Sequence, residues 1–148
     1  VFDAFRELFE DVQKGKKNRQ YLIPYLMSGH PGCSIANMVA LAEYLRDTHL
    51  YTEQVQDFTP TPMTTSTCMY ATGIDPVTMK PVRVPKGEEK TIQRAILHWR
   101  DPARYDLIKT GLLRTGREDL IGDGPKCLIS RKKPSYPVYS TEKNIKKR

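Results

Sequence analysis

Two short stretches of the sequence, separated by a helical pattern, constrain the fold more than anything else in the chain. Residues 21–27 form a nearly continuous apolar run, which is typical of a strand buried on both faces of a parallel sheet. A tight turn and an amphipathic helix follow, and residues 53–58 then predict a second strand. The order strand, helix, strand predicts one βαβ unit with a right-handed crossover. Such a unit cannot cover both strand faces and both edges by itself.

A proline within the first apolar run argues against a regular strand there. Pro24 lies within the apolar run, and proline cannot donate a ladder hydrogen bond. A regular central strand is therefore not expected along the whole run, and a local bulge would reconcile the two signals.

Helical patterns occupy most of the remaining chain. Residues 1–14 place apolar side chains at helical spacing with charged ones opposite, so an amphipathic helix is expected at the start. Ser34 can cap the helix between the two strands. Further helices are expected at residues 63–72, 88–100 and 102–116, with a short strand or hairpin arm at residues 82–84. The fold class is therefore mixed α/β: a βαβ fragment followed by a mostly α-helical extension with a short β-hairpin.

The net charge is concentrated at the carboxyl-terminal end. Residues 131–148 carry +6 of the formal +7, whereas the other 130 residues hold 17 basic and 16 acidic side chains. Such a segment can bind nucleic acid weakly through phosphate contacts. It can equally be a solvated, disordered end, because it is poor in apolar residues and contains two prolines.

Length and composition exclude several classes of protein. The 148 residues suit one domain of ordinary size. No run of 18 apolar residues is present, so we expect no membrane contact, and no signal segment opens the sequence. Three cysteines are too few for a disulfide framework, which favours free thiols in the cytoplasm. The sequence starts at Val1 with a helical pattern, as expected of a piece of a longer protein.

The turn at residues 28–33, Ser-Gly-His-Pro-Gly-Cys, is the most informative stretch for function. It follows the first strand at its carboxyl end, where parallel sheets bind their ligands. Its glycines let backbone approach a ligand, and the amides of the next helix favour an anion. The same glycines also suit a plain connecting turn, and spacing alone does not separate the two. Gln56 and Asp57 end the second strand and would face the same rim, although Asp57 can equally bond nearby backbone.

Histidine and cysteine do not form a recognisable metal site. His30 and Cys33 have H-x-x-C spacing, but no C-x-x-C occurs, and Cys68 and Cys127 stand alone. Cys33 and His30 as a catalytic pair would lack an orienting third group. We therefore expect no metal ligand in this chain and assign no catalytic residue.

Four motifs together resemble YgiQ-type (UPF0313) radical SAM proteins. They are YLIPY through SGHPGC at residues 21–33, EQVQDFTPTPM at 53–63, TGIDP at 72–76 and GREDLIG at 116–122. The resemblance extends over about residues 20–128, and QDFTPTP is its most specific string. It implies the carboxyl-terminal portion of such a protein. Residues 1–62 would be the last βαβ of a partial (β/α) barrel, residues 63–128 a family-specific extension and residues 129–148 a basic tail.

The resemblance also implies cofactors. In this family the barrel holds a 4Fe-4S cluster through a CxxxCxxC motif, and the cluster reductively cleaves S-adenosylmethionine to a radical that abstracts hydrogen from a substrate. The residues implied to line the cofactor or substrate side of the cavity are Ser28, Gly29, His30, Gly32, Gln56 and Asp57. The CxxxCxxC motif is absent from this sequence. The three cysteines cannot replace it, because the cluster needs closely spaced thiolates.

Two functions follow as alternatives. The first is the carboxyl-terminal fragment of a radical SAM iron–sulfur oxidoreductase, inactive by itself, with no bound cofactor. Its partners would be the remainder of the barrel and an unidentified substrate. The second is a non-catalytic module that binds RNA or another partner through residues 131–148.

Overall fold

The computed structural model describes residues 1–50 and 54–134 and has mixed α/β architecture, as predicted. The elements are α1 (Phe2–Gln13), β1 (Leu26–Ser28), α2 (Ile35–Asp47), β2 (Val55–Asp57), α3 (Thr65–Thr72), α4 (Gly87–Leu97) and α5 (Tyr105–Arg114). Short 3-10 helices, Pro102–Arg104 and Glu118–Leu120, lie before and after α5. The serine predicted to cap α2 does so: the Ser34 hydroxyl accepts from Asn37 N, and the Asn37 side chain bonds back to Ser34 N.

The two strands form a parallel pair, which confirms the predicted βαβ unit. The register pairs Leu26 with Val55, Met27 with Gln56 and Ser28 with Asp57. Leu26 N donates to Gln54 O at 3.3 Å, and Phe58 N donates to Ser28 O at 2.8 Å. These two bonds show that the N–H and C=O groups of Leu26 and Ser28, the even-numbered residues of β1, point toward β2. The backbone groups of the odd-numbered residues then point to the outer edge of β1.

The first strand is shorter and more exposed than the sequence predicts. Only Leu26 and Met27 of the apolar run lie in β1, and Tyr21 and Ile23 are 78% and 67% exposed instead of buried. Pro24 lies two residues before the first residue of β1 and has no hydrogen to donate to a ladder. The odd-numbered side chains of residues 21–27 are exposed and the even-numbered ones are at least half-buried. One face of the strand is therefore bare in this chain.

A single hydrophobic core joins the βαβ unit to the extension. Helix α4 packs against α2, α5 and both strands. The core contains Met38, Val39 and Ala42 of α2 together with Ile92, Ile96, Ile108 and Leu112 of α4 and α5. The predicted boundary at residue 62 thus runs between two segments that share one core.

The predicted hairpin near residues 82–84 is reduced to one antiparallel bridge. Ile74 pairs with Pro81, and residues 82–84 lie outside any strand. Pro81 and Pro85, on either side of this segment, lack the N–H groups that would extend a ladder.

Helix α1 has the predicted span, but its apolar face is uncovered by the described residues. Phe5 and Leu8 are 52% and 63% exposed, and Phe2 and Val12 are exposed as well. Across residues 1–50 and 54–134, no helix combines the length and the apolar character that crossing a membrane requires.

Close packing at Gly111 gives a test of the α4–α5 contact. A Cβ atom at Gly111 would lie 2.7 Å from Ile92 Cγ2 and 2.8 Å from Ile96 Cδ1. We expect Gly111→Val to lower the free energy of unfolding by about 1–3 kcal/mol, because the branched side chain overfills this contact. Urea denaturation of the chain measures the loss. Leu113→Val on the exposed side of α5 is the control and should cost less than about 0.5 kcal/mol. Equal stability of the two variants would contradict the packing.

Candidate functional site

The carboxyl ends of the two strands are joined through one carboxylate. Ser28 is fully buried, and its Oγ donates to Asp57 Oδ1 at 2.7 Å. Arg94 of α4 donates from Nη1 to Asp57 Oδ2 at 3.3 Å. Because both carboxylate oxygens have a partner, Asp57 ties the end of β1 and the end of β2 to α4.

Glycine is required where the chain leaves β1. Gly29 and Gly32 have φ angles of 71° and 88°, in the left-handed region that strains other residues. Space is also limiting at Gly29, where a Cβ would lie 3.0 Å from Cγ of Lys90. Gly32 N donates to the Arg83 carbonyl at 2.7 Å. The turn therefore has one well-defined path along the carboxyl edge of the sheet.

A buried glutamine of α4 bonds to both ends of this turn. Gln93 has no exposed surface; its Oε1 accepts from Gly29 N at 3.0 Å, and its Nε2 donates to the Cys33 carbonyl at 3.1 Å. Without Gln93, both backbone groups would need another partner, since unsatisfied buried polar groups are costly. The conformation of the turn thus depends on α4.

His30 has a partner at each ring nitrogen. Nδ1 lies 2.7 Å from the Pro31 carbonyl, and Nε2 lies 2.9 Å from Oγ of Ser66 in α3. Because a carbonyl only accepts, the neutral ring carries its proton on Nδ1 and accepts the hydroxyl hydrogen of Ser66 at Nε2. Phe58 packs edge-on against the ring, with centroids 5.2 Å apart. The orienting partner is a carbonyl instead of a carboxylate, so the ring lacks the charge that stabilises an imidazolium in serine triads.

Gln56 lies on the other face of β2 from Asp57, since successive strand residues alternate. It is exposed and in register with Met27. An open groove of about 470 Å³ runs along β2, and its lining includes Tyr25, Gln56, Asp57 and Arg94. The groove therefore links Gln56 to the cluster at the strand ends. All six predicted residues lie at or beside this edge of the sheet.

Sequence reasoning missed the three side chains that hold the edge together, Ser66, Gln93 and Arg94. Their partners are 36, 64 and 37 residues away in sequence. One signal was present: Gln93 lies four residues before the buried Leu97, on a helix face where an apolar residue is expected. No local pattern marks Ser66 or Arg94, because only the packing of α3 and α4 defines their contacts.

The cysteines stand apart from one another. Cys33, Cys68 and Cys127 are free thiols, and residues 1–50 and 54–134 contain no group of three His, Cys, Asp or Glu side chains able to hold a metal ion. Burial raises the pKa of the Cys33 thiol, which lowers its thiolate fraction at neutral pH. Cys68 is exposed.

Thiol alkylation tests this difference. At neutral pH we expect iodoacetamide to modify Cys68 about tenfold faster than Cys33, because Cys33 is half-buried and its pKa is raised. Raising the pH should accelerate the Cys33 reaction. Peptide mass spectrometry measures both rates, and the urea-unfolded chain, in which the rates should converge, is the control. Faster alkylation of Cys33 than of Cys68 in the folded chain would contradict the structure.

Relatives of the chain are longer proteins. A UPF0313 protein of Methanosarcina acetivorans is 56% identical over 133 residues, which are 89% of this chain and 18% of that protein. A UPF0313 protein of Methanosarcina mazei is 53% identical over 133 residues, covering 89% of this chain and 21% of that protein. One from Clostridium perfringens is 49% identical over 147 residues, 99% of this chain and 22% of that protein. The chain thus spans about a fifth of the length of the curated relatives that it matches.

The family comparison covers the extension and the basic segment. The model described as Domain of unknown function (DUF3362) matches residues 53–147, more than half of the chain and beyond the residues 20–128 of the motif resemblance. No solved structure matches the chain. The chain therefore belongs to the DUF3362 family, and over nearly its whole length it is similar to UPF0313 proteins.

Proposed function

We propose that the chain is the carboxyl-terminal part of a radical SAM oxidoreductase and supplies one wall of that enzyme's ligand cavity. One observation carries the proposal: the Gly-His-Pro-Gly turn and the Gln-Asp end of β2 meet at the carboxyl edge of a parallel pair. Parallel α/β folds bind ligands at this edge. The wall consists of Ser28, Gly29, His30, Gly32, Gln56 and Asp57.

The wall offers contacts to a ligand and no acid–base pair. Ser28, His30 and Asp57 bond to other groups of the chain, so these side chains hold the backbone path. Gln56 and Tyr25 are exposed at the groove along β2 and can bond to the polar groups of a ligand. We assign Gln56 to contact S-adenosylmethionine.

The iron–sulfur cluster does not fit this chain. Three closely spaced thiolates are needed for it, whereas the three cysteines are far apart in sequence and form no metal-binding group in the described residues. The cluster, which supplies reductive cleavage of S-adenosylmethionine, would be held elsewhere in the longer protein. No step of that chemistry is assigned to residues of this chain.

The bare face of β1 supports a partner within the same longer protein. Tyr21, Ile23, Tyr25 and Met27 are exposed in an alternating row, and within β1 the backbone groups of Met27 point to the outer edge. A large exposed apolar patch marks an interaction surface, and an unpaired edge binds another strand. The partner we propose is the remainder of the barrel, within the four fifths of the relatives that this chain does not span.

Helix α1 supports the same partner. Its exposed apolar residues Phe2, Phe5 and Leu8 form a stripe that the described residues leave uncovered. A crossover helix normally covers the two parallel strands that it connects. Strands added at the outer edge of β1 would therefore bury this stripe together with the bare strand face.

Nucleic-acid binding through residues 131–148 stays a prediction from charge. Most of this segment lies outside the described residues. In its described part Lys133 pairs with Asp106, and Tyr105 Oη lies 2.9 Å from the Arg131 carbonyl and from that of the preceding Ser130, which share its single hydrogen. These contacts hold the start of the segment against α5.

Cleavage of S-adenosylmethionine tests the proposed function. The longer protein, reconstituted with iron and sulfide and reduced with dithionite, is expected to release 5′-deoxyadenosine, measured by chromatography. Gln56→Ala should raise the KM for S-adenosylmethionine roughly tenfold, the effect of losing one hydrogen bond to the ligand.

Asn18→Ala is the matched control, because Asn18 also carries an exposed carboxamide but does not line the groove along β2. It should change the KM by less than about twofold. Absence of 5′-deoxyadenosine from protein with a full iron content would contradict the radical SAM proposal. Equal effects of the two substitutions would contradict the position of the wall.

Lysine substitution tests the partner of β1. We expect the 148-residue chain to self-associate in light scattering, and Tyr21→Lys with Ile23→Lys to reduce that association. In the longer protein the same pair should lower the melting temperature by about 5 °C or more, because two ammonium groups would become buried.

Val77→Lys is the control for added charge. Val77 is also highly exposed but lies outside the β1 row. It should leave association and melting temperature unchanged. A longer protein that tolerates the double substitution as well as Val77→Lys would contradict the proposed partner.

A further inference from the structure

Three residues on one face of α4 contact the ends of both strands. Lys90, Gln93 and Arg94 are spaced i, i+3 and i+4, so they share a helix face. Lys90 Nζ bonds to the Phe58 carbonyl at 3.4 Å, and its methylene groups cover Gly29. Gln93 bonds to both ends of the turn, and Arg94 bonds to the carboxylate that joins the strands. One helix thus reaches every part of the edge.

Two further contacts to the turn also come from the extension. Ser66 of α3 bonds to the His30 ring, and the Arg83 carbonyl accepts from Gly32 N. The turn at residues 28–33 is therefore bonded to residues 66, 83 and 93 of the extension. All of these lie within residues 53–147, the DUF3362 match.

Gln93 is the least replaceable of these residues. Its position is fully buried, and the turn demands one acceptor and one donor from the same side chain. A carboxamide of this length meets both demands without carrying a charge. An apolar side chain of the same size would fill the space and leave Gly29 N and the Cys33 carbonyl unpaired.

We infer that the DUF3362 region fixes the conformation of the turn at residues 28–33, with Gln93 as its central positioning residue. The region is then a part of the ligand site and not a separate module. The identity of the ligand used below, S-adenosylmethionine, rests on the proposed function. The conformational role of Gln93 does not.

Hydrogen exchange in the longer protein tests the inference without a ligand. Gln93→Met should speed amide exchange in peptides that cover the turn by roughly tenfold or more, because Gly29 N loses its acceptor. Ile96→Val, a buried change on the same helix that does not touch the turn, is the control for loss of core stability. Equal exchange of the turn in the two variants would overturn the inference.

Ser66→Ala covers the case in which Gln93→Met fails to fold. Ser66 is only half-buried, and its removal frees His30 Nε2 without opening the core. It should also speed exchange in the turn, by a smaller factor, and unchanged exchange in a folded Ser66→Ala protein would overturn the inference.

Steady-state kinetics with S-adenosylmethionine distinguishes this inference from the proposed function. In a protein that cleaves S-adenosylmethionine, Gln93→Met should raise the KM several-fold more than Ile96→Val while kcat changes less. If the wild-type protein does not cleave S-adenosylmethionine, the proposed function is wrong. The hydrogen-exchange result then decides the conformational role of Gln93 by itself. Cleavage with equal KM in both variants would overturn the role of Gln93 at the site.

Discussion

A parallel pair of strands needs cover, and the packing of α4 against β1 and β2 meets that need on one face. Parallel sheets are buried on both faces in stable proteins, because their side chains are apolar and their crossovers place helices over them. Here α2 and α4 pack together over Leu26 and Val55. Since α4 belongs to the extension, the βαβ unit and the DUF3362 region fold around the same core.

Helix α4 has an apolar face that packs in the core and a polar face that bonds to the strand ends. Ile92 and Ile96 enter the core against α5, whereas Lys90, Gln93 and Arg94 bond to the strand ends. Rigid packing of the first face holds the second face in place, because a close-packed interior resists small shifts. The backbone path at the carboxyl edge is therefore set by a helix that begins about sixty residues later in sequence.

The other face of the pair supports the proposal that further strands of a longer protein pack against it. The row of exposed apolar side chains on β1 and the uncovered stripe on α1 are the surfaces that added strands would bury. The chain spans about a fifth of the length of its relatives. It contains the strand ends and the helix α4 that contacts them, but no CxxxCxxC motif for an iron–sulfur cluster. This division is consistent with a cavity whose walls come from distant parts of one polypeptide.

The sequence by itself determined the local elements: the capped α2, the five helices, the parallel order of two strands and the glycine turn between them. These follow from side-chain periodicity and from caps such as Ser34, which act within a few residues. Only the tertiary structure decided that Tyr21 and Ile23 are exposed and that Gln93 bonds to a turn 64 residues away. Periodicity indicates which side of a helix or strand is apolar. It does not indicate which other element covers that side, or which group forms a hydrogen bond with a buried polar side chain. Those outcomes depend on contacts between segments far apart in the chain, and no local pattern encodes them.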